Sequence, residues 1–213
     1  MLTHKEHAGP LLTARPELMV QELSAESLDD ALEWADVVVI GPGLGQKAWG
    51  KQALERVAKC QKPALWDADA LNLLAITPEK RQNRVLTPHP GEASRLLGCT
   101  VKEIESDRLL SARKLVEQYG GVVVLKGAGT LIATAQGEMA IADVGNAGMA
   151  SGGMGDVLSG IIGGLLAQKL NIFDAACAGT VVHGAAADEI ARQQGPRGML
   201  ATDLLAVIAP LVN

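Results

Sequence analysis

The residues best suited to chemistry lie in one stretch, Gly145-Asn-Ala-Gly-Met-Ala-Ser-Gly-Gly-Met-Gly-Asp156, which runs directly into the apolar Val157-Leu-Ser-Gly-Ile. Glycine leaves backbone N–H groups uncovered, and the first N–H groups of a helix have no internal acceptor and sit at the positive end of its dipole. Gly152, Gly153 and Gly155 therefore suit a phosphate-like anion. A carboxylate at the same place, Asp156, suits a base that takes the proton from a hydroxyl attacking that phosphate. The same pattern also describes an Asp capping a helix after a glycine turn.

Further groups stand elsewhere. Lys126-Gly-Ala-Gly-Thr130 follows an apolar run and could hold a nucleotide through its backbone, with the ammonium near the phosphates. It lacks the terminal Lys-Ser/Thr pair of a P-loop, and a glycine-rich hairpin entry would look alike. Gly41-Pro-Gly-Leu-Gly45 departs from the dinucleotide fingerprint, because its third glycine comes one residue early and Pro42 has no N–H to donate. It suits close approach to a ligand or a plain strand exit. His89 lies between two prolines and before Gly91 and Glu92, a stiff loop that could present imidazole and carboxylate to a ligand or a hydrated Mg²⁺, or simply turn in solvent. Asp67 and Asp69 could orient substrate hydroxyls, with helix capping expected for one of them. His183, on a run of small apolar residues, is expected to be a core histidine.

These groups need elements to place them. Leu28, Ala31, Leu32 and Ala35 mark a helix beginning near Ser27, and Val37–Ile40 a strand covered on both faces. Helix-like Trp49–Lys59 is followed by strands at Ala64–Trp66 and Arg84–Leu86. Next come a helix from Glu92 and one over Asp107–Tyr119 with Leu109, Ala112, Val116 and Tyr119 on one face, then a strand at Val122–Leu125. Leu131–Ala133 and Met139–Ala142 around Gln136-Gly137 predict an antiparallel hairpin. Asp156–Leu170, Asp174–Gln194 and Thr202–Val212 are helical in pattern. This order predicts an α/β fold: a mostly parallel sheet with helices on both faces and an added hairpin. Ligands of such sheets bind beyond the carboxyl ends of the strands, so all four glycine-, aspartate- or lysine-bearing loops should open on one rim.

Composition narrows the classes. The chain has 213 residues, a net charge of −5, 48% apolar residues and only five aromatics (three Trp, one Tyr, one Phe), so Ala, Val, Leu and Ile must build the core. An acidic balance without a basic run argues against a nucleic-acid surface. No apolar run reaches the ~18 residues of a membrane helix, and MLTHKEHAGP lacks the apolar core of a signal peptide. Cys60, Cys99 and Cys177 are scattered, which suits reduced thiols in the cytoplasm.

GPGLG, WDADALN, TPHPGEASRLLG, VVLKGAGT and NAGMASGGMGDVLSG, in this order, resemble the carbohydrate-kinase-like NAD(P)H-hydrate dehydratase family over roughly residues 11–212. The resemblance implies a ribokinase-like, three-layer αβα domain and a lyase that repairs hydrated NADH or NADPH. ADP, or ATP, phosphorylates the ring hydroxyl of the S epimer, and loss of phosphate restores the dihydropyridine, with Mg²⁺ assisting. It implies Asp156 as base and substrate contact, and Gly152, Gly153 and Gly155 as anion hole. It implies Lys126, Gly127, Ala128, Gly129, Thr130 and Gly155 at the nucleotide, and Gly43, Gly45 and His89 at the hydrated cofactor. Glu92 would reach Mg²⁺ through water, with His89 where the superfamily has Asn. A homotetramer is implied as well. The family opens its domain with a further glycine-rich strand–helix unit that Met1–Pro10 does not supply, so residues 1–213 are expected to form one N-terminally incomplete domain. Two other readings fit part of the pattern: a small-molecule kinase of the same superfamily acting on a vitamin-precursor alcohol, and a non-catalytic nucleotide-binding remnant.

Overall fold

Short β-branched and leucine-rich runs alternate with amphipathic helices, and the computed structural model, which describes residues 1–212, turns that alternation into layers. Six strands form the main sheet in sequence order: β3 (Val38–Ile40), β4 (Ala64–Trp66), β5 (Arg84–Leu86), β6 (Val122–Leu125), β7 (Thr130–Thr134) and β8 (Met139–Ala142). The β3, β4, β5 and β6 strands are parallel, and β7 and β8 join antiparallel. The predicted hairpin is therefore the last third of the sheet. A separate parallel pair, β1 (Leu2–Thr3) and β2 (Gln21–Glu22), flanks helix α1 (Lys5–Ala14). The sequence pattern gave no sign of these three elements.

Side chains alternate across the pleat. Ala64, Trp66, Leu86, Val123 and Leu125 face a core shared with α3 (Ala48–Lys59), α4 (Ala68–Ile76), α5 (Pro90–Leu97) and α7 (Arg108–Tyr119). Leu65, Val85, Val122, Val124 and Ile132 face the opposite way, against α8 (Met154–Ala167) and α9 (Ile172–Gln194). This is the expected three-layer αβα arrangement. Helix α2 (Ala25–Trp34) starts behind a reciprocal Ser24–Ser27 cap, three residues earlier than the Ser27 start predicted. A six-residue helix α6 (Val101–Ser106) follows α5, and α10 (Leu205–Val212) packs on α9.

Two expectations need correction. The Val37–Ile40 run was expected to be covered on both faces, yet Val39 is 44% exposed. The cause is position: β3 ends the sheet, and no strand lies beyond it among the described residues. In α7 the predicted stripe included Leu109, which is 45% exposed; Ser111, Ala112, Leu115, Val116 and Tyr119 are buried instead. Arg108 turns inward to the loop after β6, which rotates its neighbour Leu109 about 100° away from the core.

Candidate active site

The carboxyl ends of β3 to β6 and the start of α8 meet at one rim, as expected. At the first exit, Gly41 adopts φ +132°, and a Cβ there would lie 1.8 Å from the carbonyl oxygen of Asp67, so only glycine lets the two loops interlock. Gly43 and Gly45 also have positive φ (65° and 70°). The Gly45 N–H donates to Asp69 Oδ2 (2.9 Å) and Gln46 Nε2 donates to Asp69 Oδ1 (2.9 Å), pinning the glycine loop to the turn after β4.

Neither aspartate caps α4. Asp67 occupies the N-cap position but makes no side-chain cap bond, and Asp69 is spent on the glycine loop, so the capping expectation fails. Asp67 instead is 1% exposed and lies between two donors. Lys126 Nζ stands 2.9 Å from Oδ1, and Ser159 Oγ donates to Oδ2 at 2.8 Å. A carboxylate removed from water needs both partners to offset its desolvation. The pair carries Lys126 to the glycine turn: a Cβ on Gly155 would lie 3.3 Å from Nζ and 3.6 Å from Asp67 Oδ2.

Helix α8 begins at Met154 behind Gly153, whose φ is +86°. Asp156 lies in the first turn but is not the cap, and among the described residues its carboxylate accepts no hydrogen bond. Its tip reaches solvent, yet surrounding protein raises its pKa; the nearby Asp67 charge raises it further, and Lys126 opposes. A raised, unengaged carboxylate beside a helix N-terminus and an ammonium can exchange a proton next to a bound anion.

His89 and Glu92 close the rim by capping α5 reciprocally. The Glu92 carboxylate accepts from the His89 backbone N–H (2.8 Å), while His89 Nδ1 accepts from the N–H groups of Gly91 (3.0 Å) and Glu92 (3.3 Å). An accepting Nδ1 leaves the neutral ring's proton on Nε2, 3.4 Å from Glu92 Oε1. Burial and then Lys126 push the His89 pKa down, keeping the ring neutral, whereas burial raises that of Glu92. The Lys126 backbone N–H donates to the Pro88 carbonyl (2.9 Å), joining this loop to Lys126–Thr130.

For Mg²⁺ the donors are sparse: among the described residues no group of three His, Cys, Asp or Glu could hold a metal ion. Asp67 is committed to Lys126 and Ser159, and Glu92 to its own helix, 3.8 Å from Lys126 Nζ. Mg²⁺ normally keeps several waters and takes few protein carboxylates beside phosphate oxygens. With so few free carboxylates, these residues would suit a hydrated ion carried mainly on phosphate oxygens.

The structure thus brings together Gly43, Gly45, His89, Glu92, Lys126, Gly155 and Asp156. His183 is buried as expected, on α9 against Met154 at the start of α8, with its pKa lowered by burial to about 4. Sequence reasoning missed three supports. Ser159 stands one helical turn beyond Asp156, a spacing that was visible. Asp188 on α9 accepts from the N–H of Gly145 (2.8 Å) and from Asn146 Nδ2 (2.9 Å), anchoring the start of the glycine stretch from 43 residues away. Arg108 grips the Lys126–Thr130 loop. No local signal marked the last two.

Residues 1–210 match the family described as NAD(P)H-hydrate dehydratase. The chain belongs to this family. Over all 213 residues it is 68% identical to the bifunctional NAD(P)H-hydrate repair enzyme Nnr of Escherichia coli K12, of which it spans 41%. It is 45% identical over 199 residues to the ADP-dependent (S)-NAD(P)H-hydrate dehydratase of Neisseria meningitidis, covering 89% of this chain and 66% of that one. The chain therefore spans about two fifths to two thirds of the length of these relatives. Among solved structures, the Bacillus subtilis ADP/ATP-dependent NAD(P)H-hydrate dehydratase co-crystallised with ATP/Mg²⁺ and soaked with CoA matches 99% of this chain and 78% of that one, at 29% identity and a TM-score of 0.84. A hydroxyethylthiazole kinase from Pyrococcus horikoshii, at 18% identity and a TM-score of 0.72, shares the fold. Within the NAD(P)H-hydrate dehydratase family, the five ordered motifs of this chain are the loops gathered at the rim.

Proposed function

We propose that this chain is a dehydratase domain that repairs hydrated NADH and NADPH by nucleotide-driven dehydration of the S epimer. The observation that carries it is the free Asp156 carboxylate in the first turn of α8, beside a lysine held there by Asp67. The Lys126–Thr130 loop and Gly155 hold the adenine nucleotide, ADP or ATP. Gly43, Gly45 and His89 line the hydrated nicotinamide. Asp156 takes the proton from the ring hydroxyl as its oxygen attacks the terminal phosphorus, and the bond to the nucleotide's bridging oxygen breaks. Gly152, Gly153 and Gly155 receive the transferred phosphoryl oxygens, with Lys126 offsetting their charge. Hydroxide is a poor leaving group and phosphate a good one, so loss of phosphate with a ring proton restores the double bond. When bound, Mg²⁺ supplies charge neutralisation on the phosphates, with Glu92 reaching it through water. The resemblance also supports a homotetramer working in the cytoplasm.

The test is direct. Purified chain with ADP or ATP, Mg²⁺ and S-hydrated NADH should restore dihydronicotinamide absorbance, and Asp156→Asn should slow this by roughly 10²–10⁴-fold. Unchanged turnover in Asp156→Asn would remove the base, and nucleotide-stabilised melting without turnover would leave a binding domain only.

A further inference from the structure

Arg108 belongs to none of the rim motifs, yet one face of its guanidinium is filled by the backbone of the loop after β6. Nη1 donates to the Ala128 carbonyl (2.5 Å), and Nη2 to the carbonyls of Leu125 (3.1 Å) and Lys126 (3.3 Å). Its Nε is buried without a partner, so the side chain gives up hydrogen bonding to stand there. Gly127 has φ +149°, and a Cβ on it would come within 2.8 Å of Nη2, so this glycine is required by the arginine as well as by the turn.

The consequence follows from peptide geometry. In a trans peptide the C=O and the next N–H point in opposite directions, and no peptide bond here is cis. Each carbonyl drawn to Arg108 therefore aims the following N–H away from it. For Leu125 that N–H is Lys126's, which donates to the Pro88 carbonyl; for Lys126 it is Gly127's, which reaches Thr130 Oγ1 at 3.3 Å. For Ala128 it is Gly129's, and this N–H meets no acceptor among the described residues. One guanidinium thus orients three peptide planes, two onto protein acceptors and one left open. Lysine has its three donors on one nitrogen at the end of a flexible stem, and cannot match the planar fork that reaches these three carbonyls.

We propose that Arg108 is a positioning residue for the phosphoryl donor: it sets the Lys126–Thr130 loop so that the Gly129 N–H donates to an oxygen of the bound nucleotide. This rests on the reading of that loop as the nucleotide site. Full-length Arg108→Lys is titrated with ADP and Mg²⁺ by calorimetry and assayed with S-hydrated NADH. Loss of one oriented donor raises the ADP Kd and KM about tenfold. The KM for hydrated NADH and the kcat at saturating ADP stay within about twofold, a split that general loss of structure would not give. An unchanged ADP Kd in folded Arg108→Lys overturns the proposal, as does a fall in kcat at constant Kd. A second measurement needs no variant: in ¹⁵N-labelled wild-type protein, exchange of the Gly129 amide slows when ADP saturates the chain, and unaltered exchange overturns the proposal. Wild-type chain that binds no ADP would fail the nucleotide-site reading itself. Binding without turnover would fail the dehydratase reading alone and leave the clamp intact.

Discussion

Asp67 joins stability to chemistry at a single carboxylate. It is buried, yet it orders a lysine that is 20% exposed and a serine on the second turn of α8. Asp67→Asn would leave the Lys126 ammonium without its charge partner, and we expect a loss of about 3 kcal/mol in urea unfolding together with weaker nucleotide binding. Ser159→Ala keeps the ion pair and should cost nearer 1 kcal/mol. Asp156 behaves differently, because its carboxyl pKa is raised and the base role proposed for it requires the ionised form. Turnover should therefore fall as pH drops through a value above that of an ordinary aspartate, and the acid limb of kcat/KM should vanish from whatever activity Asp156→Asn retains. The residue types at this site were visible from spacing alone. Which aspartate served which partner was not, since Asp67 and Lys126 are 59 residues apart and meet only across neighbouring loops.

Helices α8 and α9 pack on one side of the sheet, α8 behind the glycine turn at its start, and glycines decide how closely they cross. A Cβ on Gly179 would lie 2.5 Å from Ile162 Cγ1 and 3.3 Å from the Ile162 Cα, whereas one on Gly164 would meet nothing within 4 Å. Gly179→Ala should thus destabilise by about 1–3 kcal/mol through overpacking. Gly164→Ala should stabilise by about 0.5–1 kcal/mol, because alanine suits a helix interior better than glycine. Thermal melts of the two variants should move in opposite directions. Strands β4, β5 and β6 matched their apolar runs to the residue because both faces of each are buried. The pair β1 and β2 left no such trace, since two-residue strands with no fully buried side chain carry no periodicity.

Across the whole molecule, His183 links folding to pH. In the fold its pKa is lowered from 6.5 to about 4, mainly by burial between helices, so below pH 6.5 the unfolded chain binds a proton that the folded chain resists. The stability this gives is present above pH 6.5 and is lost as pH falls towards 4, by about 1–3 kcal/mol. His183→Leu should flatten the decline in melting temperature between pH 6.5 and 4; an equally steep decline in the variant would place its origin in other groups. Activity should fall at acid pH for a separate reason, the protonation of Asp156, and the two are separable because His183→Leu alters the pH dependence of the melt and leaves the acid limb of kcat/KM in place.

The sequence by itself determined the alternation of strands and helices, the three layers and the identity of the rim loops. Local periodicity and backbone freedom at glycine are properties of neighbouring residues and need no folded chain to be read. Only the tertiary structure decided that Asp67 faces Lys126 and Ser159 instead of capping α4, and that Asp188 and Arg108 anchor the two glycine loops. It also decided that Val39 lies on an open edge. Each of these depends on which segments become neighbours in space. Burial and hydrogen-bond pairing between residues 17 to 92 positions apart arise when the sheet assembles, and no local pattern in the chain encodes them.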